Sequence, residues 1–496
     1  MGKDSPELRR DHRGASLRIS VVNPPFMNGR FSRTSRSPAI VKSGTMYWPF
    51  WLAYLVGGLE RAGHTVQFLD CPARGIRRED LSSVVGDFGP ELLVMDTSTP
   101  SINSDLEVAE GLKMGLPGTR LVLVGTHVSA LPIQVLARAP FADAVAVGEY
   151  DISLVRAASG EDLMKVPGLC VNTPDGGVLT GPPELVEDLD SLPFLADVYR
   201  RHLRPEDYFF AAARYPSVMT ITSRGCPYKC SFCVWPQVLH PGGYRARSAG
   251  NVAAEFRLIA EYFPQAREIV VEDDTFSVDS SRVSQVASAI AAAGNRLPWT
   301  ANTRANLSLE AMRTMKAAGC RMLIVGYESG SQEILNGVSK GTTVQQNLDF
   351  STRARKAGLM VHGCFMVGNP GETRKTMEQT LSMAMKLRPD TAQFFPIMAY
   401  PGTRLYDQYQ RQGMLRTTDY SQWLTPDGLH NCVVDLPGLP AEELVSFCNH
   451  ARKKFYLRPS YIAAKVVQSL LHPLTEGKRN LKAFGTFRRH LFRGSR

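Results

Sequence analysis

Between residues 17 and 400 the chain alternates short apolar runs with stretches whose apolar residues recur at helical spacing, in two successive series. Apolar runs of strand length, without polar alternation, belong in parallel sheets covered on both faces by crossover helices. In the first series Leu17–Val22, Thr65–Leu69, Leu92–Met95, Leu121–Val124 and Ala144–Val147 read as strands and Trp51–Ala62 as a helix. This predicts a doubly wound, Rossmann-like α/β domain of about five strands over residues 1–158, with ligands beyond the carboxyl ends of its strands. Those ends are Asn23-Pro24-Pro25, Asp96-Thr97-Ser98-Thr99, Gly125-Thr126-His127 and Gly148-Glu149. No G-x-G-x-x-G follows the first strand and no G-x4-G-K-[ST] loop is present, which argues against a nucleotide site there.

The second series has strand runs at Val218–Ile221, Glu268–Val271, Trp299–Ala301, Met322–Val325, Met360–Val367 and Ala392–Ile397. Helical stretches fall between them at Asn251–Phe263, Val283–Ala293, Leu309–Ala318, Val344–Ala357 and Lys375–Leu387. Six parallel βα units predict a partial (β/α)6 barrel over 216–410, with its site at the strand carboxyl ends. Residues 159–215, rich in prolines and acids, are expected to be a linker. Residues 411–496 are expected to be helical and to cap the barrel.

One motif carries chemistry on its own: Cys226-Pro227-Tyr228-Lys229-Cys230-Ser231-Phe232-Cys233 directly follows the first barrel strand. Thiolates are soft anionic ligands suited to iron–sulfur clusters. Three of them on one loop leave one iron of a [4Fe–4S] cluster open to a substrate or cofactor. A structural zinc site would need a fourth ligand with its own short spacing; His240 is the near candidate, but no C-x2-C…H-x3-5-H pattern exists. The other cysteines, of nine in all, are scattered and read as small buried hydrophobes.

The C-x3-C-x2-C spacing, with aromatic Phe232 before the last cysteine, resembles the radical S-adenosylmethionine (SAM) superfamily. The resemblance implies that Cys226, Cys230 and Cys233 bind the cluster and that its open iron chelates SAM. Electron transfer then yields a deoxyadenosyl radical that abstracts hydrogen from the substrate. It implies cofactor contacts at Phe232, at Asp273 near the SAM amino group, at Asn302 and Arg304, at Glu328 and Ser329, and at Gly368 and Pro370. An N-cap explains an acid such as Asp273 as well, and a tight turn explains Gly368-Asn369-Pro370-Gly371.

A doubly wound domain ahead of such a barrel resembles the cobalamin-binding arrangement of class B radical SAM proteins. The resemblance implies corrin contacts at Asn23, Thr97, Ser98, Gly125, Thr126, His127 and Glu149. The Asp-x-His-x-x-Gly motif that supplies a histidine to cobalt is missing, so His127 is expected at the corrin periphery or in the turn. The long basic loop Phe26–Tyr47, with Arg30, Arg33, Arg36 and Lys42, is expected to fold over the cofactor or the substrate entrance.

Together these resemblances imply a cobalamin-dependent radical SAM C-methyltransferase acting on a small molecule in secondary metabolism, such as antibiotic, sugar or phosphoglycolipid biosynthesis. One SAM would methylate cobalamin and a second would generate the radical, with electrons from a flavodoxin or ferredoxin type of donor. A cyclase or ring-rearranging enzyme acting on a lipid or tetrapyrrole is the alternative. Methylthiolation is disfavoured because only Cys71 and Cys170 lie upstream of the trio, and an iron–sulfur sensor would not need the SAM contacts.

Composition adds a location and a bias. With 44% hydrophobic residues, no leader-like segment and no apolar run of membrane-spanning length, the chain is expected in the cytoplasm. The formal net charge is +10, which favours anionic partners such as phosphates, nucleic acid or a membrane surface; of these a small anionic or lipid-linked substrate is expected and nucleic acid is not. Lys478 to Arg496 holds seven lysines and arginines and no acid, interleaved with Leu481, Phe484, Phe487, Leu491 and Phe492. That pattern suits a solvated tail or a peripheral membrane contact.

Overall fold

The computed structural model describes residues 16–27, 29–41, 43–471, 473–477 and 481. Lys42 and the basic run Lys478–Arg496, Leu481 excepted, therefore lie outside the described residues.

The N-terminal sheet contains β1 (Arg18–Asn23), β2 (Thr65–Asp70), β3 (Leu92–Thr97), β4 (Arg120–Gly125), β5 (Ala144–Ala146), β6 (Leu169–Thr173) and β7 (Gly176–Leu179). Their order is β2-β1-β3-β4-β5-β6-β7. The first five strands run parallel, whereas β6 and β7 add antiparallel at the edge. The order reverses at β1, where the first crossover turns one way and the next the other. The residues beyond the carboxyl ends of β1, β3 and β4 therefore share one rim.

The stretch expected as a linker differs from that expectation. Besides β6 and β7 it forms the helix Leu195–His202, whose Leu195, Val198 and Tyr199 are buried. Tyr208 then stacks on Trp48 with ring centroids 4.2 Å apart. Burial of these aromatics makes the stretch part of the core.

The second sheet begins with β8 (Ser217–Thr220), after which the chain makes a separate two-stranded ribbon of β9 (Ser223–Arg224) and β10 (Arg245–Ala246) before returning to that sheet. It continues with β11 (Glu268–Val271), β12 (Trp299–Thr303), β13 (Cys320–Glu328), β14 (Met360–Val367) and β15 (Thr391–Pro396). Outside the ribbon, the six strands are parallel and lie in sequence order. Ser248, Asp279, Ser308, Thr343 and Thr373 cap the intervening helices through their side chains, which fixes where each strand end gives way to a helix.

One hydrophobic core runs from the inner face of the first sheet (Val21, Val94, Val122) through Trp48 and Tyr54 into the barrel (Val218, Ile269, Ala301, Leu323). A second core lies under the outer face of the first sheet. Continuous packing of this kind holds the two domains in one arrangement. The C-terminal region is helical at Arg404–Arg411, Ala441–Tyr456 and Pro459–Leu471. Residues 412–440 are instead mostly turns and isolated bridges. Among the described residues no helix is long and apolar enough to cross a membrane.

Candidate active site at the domain interface

The three cysteines occupy the loop that leaves β9, and the loop is fastened at each end. Gly225, just before Cys226, has φ +79°, and a Cβ there would stand 1.8 Å from the carbonyl oxygen of Gly243. Only glycine fits that approach. The side-chain amide of Gln237 donates to the carbonyls of Cys230, Ser231 and Cys233 at 3.2, 3.2 and 2.7 Å. Backbone bonds from Ser231 to Val338 and from Leu405 to Ser231, at 3.0 and 3.1 Å, tie the loop to the barrel.

The acids after β11 divide the remaining work. Asp273, expected beside SAM, instead accepts from the backbone N–H groups and hydroxyls of Thr222 and Ser223, at 2.6 to 3.2 Å. Its carboxylate is thereby engaged at the root of the cysteine loop. Asp274 accepts from Gly225 N at 2.8 Å through Oδ2, while its buried Oδ1 has no partner. Burial works against its charge, yet His240 and Arg36 hold its pKa below the usual carboxylate value. Thr275 Oγ1 and Thr303 Oγ1 are likewise buried without a partner. A buried polar atom without a protein partner requires one from outside the chain, a water or a ligand.

Arg304 points its Nη1 at Cys230 Sγ, 3.6 Å away, and its guanidinium lies 3.6 Å from the centroid of the Tyr228 ring. Its backbone N–H donates to Ser277 Oγ at 2.8 Å. Glu328, at the end of β13, adopts φ +61° and pairs with Lys340 Nζ at 2.8 Å. Burial alone would favour a neutral Lys340; Glu328 outweighs it and raises the pKa. A left-handed non-glycine residue is uncommon and occurs often at functional sites.

Other expected contacts are taken up within the protein. Ser329 Oγ sits 3.1 Å from Thr380 Oγ1 and accepts from Ser331 N, so it fixes the turn into the next helix. The missing side chain of Gly368 faces Leu444 and Ile397, at 3.0 and 3.2 Å from an ideal Cβ. That glycine answers to helix packing; Pro370 lies half-buried beside it. Phe232 is half-buried against the core, and Asn302 is buried beside Glu272.

On the rim of the first sheet, Asn23 donates to Asp70 and accepts from Arg33, both at 2.8 Å. Thr97 Oγ1 donates to Val124 O at 2.8 Å, and Ser98 Oγ lies 2.7 Å from Ser101 Oγ. Gly125 has φ +113°, and an ideal Cβ would lie 2.2 Å from Thr97 O. Thr126 is half-buried. His127 is buried, bonded to Thr99 Oγ1 at 3.2 Å and edge-on to Tyr420 at 4.6 Å. Burial brings its pKa down to about 3, so the ring is neutral and committed to domain packing. Glu149 differs most from expectation: it bonds Arg224 and Arg245, both at 2.7 Å, and joins the two domains.

Sequence reasoning missed the link between the halves. Arg36, on the loop after β1, pairs with Glu272, donates to Asp273 O at 2.5 Å and lies 4.2 Å from the Trp235 ring centroid. Arg33 on the same loop is buried against Asp105. The loop therefore reaches from the first sheet's rim to the end of β11. Basic residues in a long loop were the available signal; the partners of Arg36 lie more than two hundred positions away.

These residues fit the groups that the motifs imply. Burial raises Cys226 to about 11 and Cys233 further, and Asp274 and the neighbouring thiols add to the rise. Such thiols ionise against a strongly cationic centre, which iron supplies. Among the described residues no three His, Cys, Asp or Glu side chains converge as on a single metal ion. Small and hydroxyl-bearing residues on the first rim suit the amide-edged periphery of a corrin.

Comparison with known proteins agrees. The radical SAM superfamily model matches residues 220–384 and the B12 binding domain model residues 36–158. An uncharacterised methyltransferase of Pyrococcus horikoshii is 31% identical across 86% of this chain and 91% of its own length. An anaerobic magnesium-protoporphyrin IX monomethyl ester cyclase of Cereibacter sphaeroides is 26% identical across 89% of this chain and 71% of its own. The fold matches the radical SAM methyltransferase TsrM of Kitasatospora setae, solved with tryptophan and a SAM analogue, at a TM-score of 0.70, 19% identity and 90% of both chains. The chain thus belongs to the cobalamin-dependent radical SAM methyltransferases, enzymes that work with a [4Fe–4S] cluster, SAM and cobalamin.

Proposed function

We propose that Cys226, Cys230 and Cys233 hold the cluster and that the chain transfers a methyl group to an unactivated carbon of a small molecule. When bound, the cluster with SAM supplies hydrogen abstraction and cobalamin supplies the methyl group. The chain's own residues do the placing. Asp274, ionised and with one free oxygen, replaces Asp273 as the group that receives the SAM amino end. Thr275 and Thr303 offer hydroxyls beside it. Lys340 with Glu328 frames the far side, and Arg304 faces the cluster through Cys230. The rim residues Thr97, Ser98, Gly125 and Thr126 would hold the corrin, and the loop bearing Arg33 and Arg36 ties that rim to the end of β11.

The observation that carries this reading is the meeting of the cysteine loop, the unpartnered polar atoms after β11 and at the end of β12, and the first sheet's rim at one interface. Methyl transfer is favoured over cyclisation because the 31% relative is named a methyltransferase and the cyclase is more distant. A secondary metabolite, including a sugar or phosphoglycolipid intermediate, remains our reading of the substrate, and a flavodoxin or ferredoxin our reading of the electron donor. Mass spectrometry of SAM products from the anaerobic, reduced enzyme with cobalamin and candidate substrates tests the reaction. Deoxyadenosine together with S-adenosylhomocysteine, and a substrate heavier by one CH2, is the expected result. Deoxyadenosine without S-adenosylhomocysteine would replace methyl transfer by rearrangement.

A further inference from the structure

The C-terminal helix Pro459–Leu471 is built inside out. Its face toward the body carries Tyr461, Lys465, Gln468 and Ser469, the less exposed residues of the helix, at spacings of four, three and one. Tyr461 donates to Asp390 O at 2.8 Å and Lys465 pairs with Asp390 at 3.5 Å, so this polar face is the one that docks. The opposite face carries Ile462, Val466, Val467, Leu470 and Leu471, with exposure rising from 47% at Ile462 to 75% at Leu470. Leu474 prolongs the stripe at 75% exposure. A surface helix ordinarily does the reverse, and contiguous aliphatic exposure marks an interaction surface.

Charge identifies the partner. From Arg452 to the last residue the chain has twelve lysines and arginines and one acid, Glu476; the preceding 451 residues have 45 cations and 46 acids. The whole positive excess of the protein therefore lies around and after this helix. Aliphatic side chains flanked by lysine and arginine suit the boundary between headgroups and acyl chains of an anionic bilayer. There apolar burial and attraction to the lipid charge reinforce each other. A second copy of the chain would bring the same positive charge against itself.

We infer that the Pro459–Leu471 helix and the basic segment after it seat the enzyme peripherally on an anionic phospholipid surface, independently of which carbon it methylates. The test is flotation of the full-length holoenzyme with vesicles of phosphatidylcholine containing phosphatidylglycerol, and with phosphatidylcholine alone. Flotation with the anionic vesicles only, weakened by high salt, is expected. The triple variant Ile462→Glu, Val466→Glu, Leu470→Glu should lose at least tenfold in vesicle affinity while keeping the wild-type melting temperature, because the three residues lie on the exposed face, at 47%, 52% and 75% exposure. Lys478→Glu with Arg479→Glu should weaken binding in the same direction. No flotation, equal flotation with neutral vesicles, or an unaltered triple variant would overturn the proposal. So would a dimer by light scattering that the triple variant dissociates while vesicle binding is absent; the occupant would then be a second copy.

Discussion

Arg304 Nη1 lies 3.6 Å from Cys230 Sγ, and the guanidinium is held there by the Tyr228 ring beneath it and by the carbonyl of Lys340. A donor aimed at a cluster thiolate withdraws negative charge from it and makes reduction easier. Replacing Arg304 by Gln should lower the cluster's midpoint potential. A hydrogen bond of about 1 kcal/mol corresponds to roughly 40 mV for one electron. Potentiometric titration followed by electron paramagnetic resonance reads this directly. An unchanged potential would mean that Arg304 serves packing alone.

Gly225 is expected to tolerate no side chain. A Cβ would collide with the Gly243 carbonyl at 1.8 Å, and the backbone is left-handed. Gly225→Ala should displace the start of the cysteine loop, destabilise the fold by about 1–3 kcal/mol and reduce bound iron per chain. Full iron loading at wild-type stability would contradict the described loop.

The Arg36–Glu272 pair predicts a coupling between the domains. Glu272 is buried with one oxygen on Arg36. Arg36→Ala leaves that carboxyl without its counter-charge and should destabilise by about 3 kcal/mol. Adding Glu272→Gln should recover much of the loss. A double-mutant cycle by urea unfolding measures the pair, and additive single effects would mean that the two do not interact.

Much of the fold was legible because parallel strands buried on both faces are uninterrupted apolar runs: β3 reads Leu-Leu-Val-Met and β11 Ile-Val-Val. The hairpin β6–β7 was not, because β7 is an exposed edge strand with two glycines and almost no apolar pattern. The Pro174-Asp175-Gly176 turn was its one signal. At the site, residue type and strand-end position pointed to the acids after β11. Which of them is engaged and which has a free oxygen depends on contacts to Thr222, Ser223 and Gly225 about fifty residues away. The same holds for Glu149, whose arginine partners lie 75 and 96 residues along the chain. Contacts at such separations leave no local pattern.

Asp96 gives a pH dependence with a definite sign. Burial, chiefly, pushes it up to about 7 from an ordinary 3.8. Between these values the folded protein keeps a proton that the unfolded chain has released. This group's contribution to stability is therefore full below about pH 4 and falls as pH rises toward 7. Asp96→Asn removes that slope. Thermal unfolding at about pH 5 and pH 8 should show the variant gaining on the wild type at the higher pH, whereas parallel curves would contradict the burial of an ionisable carboxyl there.

The most direct measurement is iron and sulfide analysis, with electron paramagnetic resonance, of anaerobically reconstituted wild-type protein and of Cys230→Ala. Four irons and four sulfides per chain in the wild type are expected, with a reduced-cluster signal that changes when SAM is added. The variant should lose both cluster and SAM cleavage. A variant that keeps the iron, the signal and SAM cleavage would contradict the assignment of the cluster to Cys226, Cys230 and Cys233.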